Sequence, residues 1–190
     1  MIAAPQAATQ PKLWLLSSSG QSGVFAAHLG MAFSFAQFIN PHGGPQAVRA
    51  YRERFRPSPE LPAPVANVAL FVLCADTEAK ARALRTALDL QLLRFGRSER
   101  LTFPSAEEVA GYRFTAEDQL HLAHNRGRVV SGTPEQVHQQ LTGLAAACGV
   151  DEVAAVTITA DFQDRLRSYE LLAEAFELVP APREPVAEMA

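Results

Sequence analysis

Between an apolar run at residues 13–16 (LWLL) and a stretch of small and apolar residues stands Ser17-Ser18-Ser19-Gly20-Gln21-Ser22-Gly23. A strand of a parallel sheet delivers its chain to the carboxyl edge of that sheet, where the next helix begins. The first amides of such a helix have no partners inside it, and its dipole favours an anion there. Serine hydroxyls can donate to phosphate oxygens, and Gly20 and Gly23 let the backbone come close. No lysine or arginine is needed if amides and hydroxyls do the work. Serines between a strand and a helix also make good caps, and the spacing accommodates both readings. The common nucleotide fingerprints, Gly-Lys-Ser/Thr of the Walker type and G-x-G-x-x-G, are absent.

Other chemistry-bearing residues form no comparable pattern. His121 and His124 lie three apart on an expected helix, yet no acidic or cysteine partner has metal-ligand spacing, so they read as a solvated face. His42, in PHGG after the second strand, would sit where a barrel's chemistry occurs, though a loop histidine needs no such role. Cys74 and Cys148 stand in apolar surroundings and read as core residues without a Cys/His/Asn pattern. The arginines of YRERFRPS (51–58) and the charges at Asp164, Arg165 and Arg167 read as solvated helix faces. No acidic pair facing one cleft can be placed for general acid/base work, so no catalytic residue is assigned.

Positioning the serine turn falls to apolar runs that alternate with helical patterns. Runs at 13–16, 31–37 (MAFSFAQ), 67–74 (NVALFVLC) and 152–159 (EVAAVTIT) have the length and composition of buried strands. Helices are expected at 21–29, stopped by Gly30, and at 45–55 with Val48, Tyr51 and Phe55 on one face. Another follows Asp76 or Thr77, with Ala81, Leu84 and Leu88 buried. Residues 95–128 read as a long insertion holding two short helix starts, at Ser105 and Thr115. Thr133-Pro134-Glu135-Gln136 opens a helix with Val137, Leu141, Leu144 and Cys148 on its stripe and Gly149 as its stop. The last helix, 162–178, is expected to turn Leu166, Tyr169, Ala173 and Phe176 inward. Residues 1–11 read as a linker or truncated edge and 180–190 as a disordered tail, leaving 12–179 as the domain.

Four βα units imply a parallel sheet covered by helices, either a small open α/β sheet or half of a (β/α)8 barrel. A whole barrel takes ~250 residues, and the chain has 190. With 48% hydrophobic and 19% charged residues it has the composition of a globular domain. A net charge of −3 lacks the basic excess of a nucleic-acid binder. No apolar run approaches the ~18–20 residues of a membrane span, no signal-peptide pattern opens the chain, and two cysteines make no disulfide framework. These features suit a cytoplasmic protein.

The segment WLLSSSGQSGVFAAHLGMAFSFAQF (14–38) resembles the bacterial luciferase-like, flavin-dependent monooxygenases, in which a barrel strand leads into a Ser-Ser-Gly-x-Ser turn and an Ala-Ala-x-Leu-Gly helix. The resemblance continues, in the family's order, through YRERFRPS (51–58), ADTEAKA (75–81), SGTPEQV (131–137), GVDEV (149–153) and DRLRSYELLAEAF (164–176). It implies the C-terminal half of a (β/α)8 barrel, and reduced FMN as cofactor, with a deazaflavin in some relatives. It also implies a flavin reductase as partner and oxidation of a small organic substrate by molecular oxygen. Carried over residue by residue, it assigns the flavin phosphate to Ser18, Ser19 and Ser22, with the amides of Gly20 and Gln21; Ser17 stands where many members have glycine. Strands one to four of the family's barrel, with its active-site histidine, have no counterpart. Activity would therefore need the other half-barrel, upstream in a longer gene product or on a separate chain, as a mis-called start or a frameshift would produce. The alternative expectation is a non-catalytic flavin- or phosphate-binding half-barrel whose open edges pair with another chain, for instance as a homodimer.

Overall fold

The computed structural model describes residues 11–99 and 102–179; the expected C-terminal tail, and the expected linker up to residue 10, lie outside the described residues. Five parallel strands form one sheet: β1 (Trp14–Ser17), β2 (Ala32–Ala36), β3 (Ala66–Cys74), β4 (Val129–Gly132) and β5 (Val153–Val156). Helices α1 (Gly20–His28), α2 (Gly44–Arg54) and α3 (Glu78–Gly96) follow the first three strands. Then come α4 (Ala106–Gly111), α5 (Ala116–His124), a 3-10 turn at Arg126–Arg128, α6 (Pro134–Cys148) after β4, and α7 (Phe162–Ala175) after β5. The α/β class with parallel strands is as the sequence implies.

All nine residues of β3 are buried, which is why that stretch is apolar without alternation. Its even-numbered side chains face α1, α2, α6 and α7. Val68 packs with Phe33, Phe35, Val48 and Tyr51, while Leu70, Val72 and Cys74 meet Val137, Leu141, Leu171 and Leu172. On the opposite face Phe71 and Leu73 pack with Val129 and with Leu88 of α3. Tyr51 ties the first two units together: its hydroxyl donates to the Met31 carbonyl (2.9 Å) and accepts from the Val65 N–H (3.1 Å).

Strand β4 is a departure from the expected four. Phe33 and Phe38 N–H groups donate to Val65 and Ala69 carbonyls, and Ala75 N–H donates to the Gly132 carbonyl. The Val72 carbonyl and the Cys74 N–H instead bond the Thr157 and Ser168 hydroxyls. Alternate residues of a strand send their backbone groups to opposite edges, so β2 and β4 lie end to end along one edge of β3 and β5 takes the other. Four residues placed beyond the end of β2 suffice to complete that edge, a run too short to stand out in sequence. The last strand is likewise shorter than 152–159.

The inward face of α7 needs a second correction. Ser168, Leu171 and Leu172 are buried, whereas Leu166 and Tyr169 are each 42% exposed. Burying Ser168 satisfies the last N–H of β3, and that polar contact sets the rotation of the helix against its apolar stripe. The caps hold as expected. Thr77 accepts from Lys80 N–H, Ser105 and Thr115 open α4 and α5 as capping boxes, and Gly30 and Gly149 take left-handed conformations at φ 62° and 65°.

Candidate functional site

Strand β1 ends at Ser17, in register with Phe35 of β2, so the serine turn stands at the carboxyl edge of the sheet. Ser19, in extended backbone (φ −121°, ψ 144°), is the N-cap of α1. Its hydroxyl accepts from Ser22 N–H at 3.2 Å and lies 3.0 Å from the Ser22 hydroxyl. Two hydroxyls in mutual contact share one proton between them, so the pair retains one O–H to direct outward while the cap stays formed. Capping and anion binding are therefore compatible at this turn.

Further donors converge there. Among the described residues the N–H groups of Gly20 and Gln21 and the Ser18 hydroxyl have no hydrogen-bond partner. Gly20 and Gln21 are exposed, and no heavy atom lies within 4 Å of where a Cβ on Gly20 would stand. Gly23 differs: a Cβ there would lie 3.2 Å from the Ala47 carbonyl oxygen and 3.3 Å from the Phe33 ring, so this glycine serves the packing of α1 on α2. The structure thus gathers Ser18, Ser19, Gly20, Gln21 and Ser22 at one helix start, with unpaired donors suited to a phosphate's oxygens.

Asn40, beyond β2, was not singled out in the sequence. Its Nδ2 donates to the Ser18 carbonyl at 3.2 Å. The Asn40-Pro41 pair is a turn signal that marks such a residue.

Of the remaining candidates, His42 adjoins the turn through its N–H, which donates to Asn40 Oδ1 at 3.1 Å. His121 and His124 are exposed on α5, and the His124 ring lies 5.3 Å from that of His42. Among the described residues no group of three or more His, Cys, Asp or Glu side chains could hold a metal. Cys74 and Cys148 are free and buried; burial pushes the Cys74 thiol up to about 11, with the Asp76 carboxylate adding to the shift. Lys80 of α3 pairs with Asp164 of α7 at 2.7 Å, and Arg167 of α7 pairs with Asp76, ahead of α3, at 2.7 Å. Among the described residues no helix is long and apolar enough to cross a membrane.

A family model described as luciferase-like monooxygenase matches residues 2–152. The Bacillus subtilis protein YwcH is 46% identical over 177 residues, covering 93% of this chain and 53% of its own. The structure of apo-MsnO8 superposes with a TM-score of 0.82 at 35% identity, over 94% of this chain and 54% of that one. A type II Baeyer-Villiger monooxygenase of Pseudomonas putida, solved in complex with FMN, shares the fold: TM-score 0.53, 17% identity, 90% of this chain and 50% of that one. The chain spans about half the length of the curated relatives it matches.

Proposed function

The chain belongs to the luciferase-like monooxygenase family, and from that premise we propose that it forms the C-terminal, phosphate-holding half of a flavin-dependent monooxygenase. The observation that carries the reading is the serine turn, whose two free amides and outward hydroxyls converge at the carboxyl edge of a parallel sheet. Ser18, Ser19 and Ser22 would hold the phosphate of FMN, with the N–H groups of Gly20 and Gln21. FMN is preferred to a deazaflavin because a protein of the same fold carries it. Bound in reduced form, FMN would supply the two electrons needed for molecular oxygen to place one of its atoms in an organic substrate and the other in water. The chain's own residues would anchor the cofactor by its phosphate. A flavin reductase is the expected source of the reduced form.

The exposed apolar residues support a second half-barrel beside this one. Phe25 of α1, Leu29 just after it, Leu16 of β1 and Leu13 just before it are exposed. Ile158, between β5 and α7, and Phe162, Leu166 and Tyr169 of α7 are exposed. Among the described residues β1 and β5 each pair on one side only. These flanks also favour the second reading, a non-catalytic flavin-binding half-barrel that pairs with another chain. Oxygen uptake decides between them. The chain is mixed with FMN, a flavin reductase and the complementary half of a relative such as YwcH, and substrate-stimulated uptake beyond the reductase background is expected. Flavin retention without uptake supports the non-catalytic reading, and a folded chain that retains no flavin contradicts both.

A further inference from the structure

We propose that Asn40 is a positioning residue for the phosphate turn, fixing the Ser18–Ser19 peptide so that donors rather than a carbonyl oxygen meet the anion; this rests on the reading of that turn as the FMN phosphate site. Asn40 Nδ2 donates to the Ser18 carbonyl at 3.2 Å, and its Oδ1 accepts from His42 N–H at 3.1 Å. One partner can only accept and the other can only donate, so the orientation of the amide is determined. The contact crosses 22 positions, from the second βα unit to the first. The cap of α1 does not require it, since Ser19 already accepts from Ser22 N–H.

Asn40 stands on a rigid base. Its N–H and that of Ile39 donate to the Ala36 carbonyl, and Phe38 N–H donates to the Ala69 carbonyl. Arg128 Nε donates to the Phe38 carbonyl at 2.7 Å, and Gln37 Nε2 to the Gly127 carbonyl at 2.8 Å. The loop after β2 is thus fastened to the sheet and to the 3-10 turn ahead of β4, and its one free-standing amide is spent on Ser18. The carbonyl and N–H of a planar trans peptide point in opposite directions. Holding the Ser18 carbonyl therefore also directs Ser19 N–H away from it, towards the Ser17 hydroxyl at 3.4 Å, and sets the entry of the chain into α1, where the N–H groups of Gly20 and Gln21 stay free among the described residues. A carbonyl oxygen released from this contact would present its negative end to a phosphate.

The test compares FMN with riboflavin, which lacks the phosphate, on the whole chain carrying Asn40→Leu, Asn40→Asp or Ser22→Ala. Asn40→Leu keeps the bulk and loses both bonds without adding charge; Asn40→Asp keeps the acceptor for His42, loses the donor and adds a negative charge that by itself opposes the phosphate, so Asn40→Leu decides. It is expected to weaken FMN by about three- to tenfold and to leave riboflavin unchanged, with a larger loss of FMN in Asn40→Asp. Equal weakening of both ligands in Asn40→Leu overturns the role in favour of a merely structural contact. An unchanged FMN-to-riboflavin ratio in Asn40→Leu, with a ratio reduced by Ser22→Ala, overturns the role of Asn40 and leaves the site standing. A wild-type chain that does not distinguish FMN from riboflavin overturns the site and the role together.

Discussion

The Ser19 hydroxyl caps α1 and, in the proposed site, would also grip an anion, two roles that a single substitution would confound. Ser22 separates them, because among the described residues its hydroxyl bonds that of Ser19 alone while its N–H makes the cap. Ser19→Ala is expected to lower stability by about 1 kcal/mol, and Ser22→Ala by less than about 0.5 kcal/mol, in urea unfolding. Both should weaken FMN by about tenfold or more, as loss of a hydrogen bond to a charged group does. The cysteines give a second expectation. Burial raises the thiol pKa at Cys74 to about 11 and raises that of Cys148 as well. At pH 8 neither should react with a disulfide reagent in the folded chain, and both should react after unfolding. Apolar neighbours made the cysteines legible in sequence, and the Ser-Gly-x-Ser pattern made the turn legible. Asn40 was not, because its partner is a backbone carbonyl from another unit, and a carbonyl has no residue type to read.

Among the elements, the helices were legible where a side-chain cap marks their start. Capping boxes at Ser105 and Thr115 opened α4 and α5 as expected. Strand β4 and the rotation of α7 were not legible, since each answers to a distant backbone group of β3: the edge beyond β2 in one case, the Cys74 N–H in the other. The segment between α3 and β4 is held by a buried carboxylate. Asp118 is fully buried and accepts from Thr115 N–H (2.8 Å), the Tyr112 hydroxyl (3.2 Å) and Arg97. Chiefly the Thr115 N–H, with the Thr115 hydroxyl and Arg97, holds its carboxyl below the ordinary 3.8 against the opposing effect of desolvation. A depressed folded value means that the unfolded chain binds the proton first as pH falls. This contribution is therefore complete above about pH 5 and is lost as pH drops through the folded value. Hydrogen exchange should show α5 amides losing protection in that acid range ahead of β3, and Asp118→Asn should remove the pH dependence while lowering protection at neutral pH. Equal loss in α5 and β3 at every pH would contradict the clamp.

At the scale of the whole molecule, one face of the sheet is covered by α1, α2, α6 and α7, while the lateral strands and the flanking sides of α1 and α7 carry exposed apolar residues. Such edges invite pairing with another chain or segment. The isolated chain is expected to self-associate with rising concentration in sedimentation. Phe162→Glu with Leu166→Glu should reduce that association without lowering the unfolding midpoint, because both residues are exposed. A monomer at all concentrations would remove the argument from the edges. The fold class was legible from four apolar runs and the helices between them. If the serine turn holds a flavin by its phosphate, equilibrium titration of the wild-type chain, followed by flavin fluorescence, should show saturable FMN binding at least about tenfold tighter than riboflavin binding; equal affinity for the two, or no FMN binding by the folded chain, would mean that it does not.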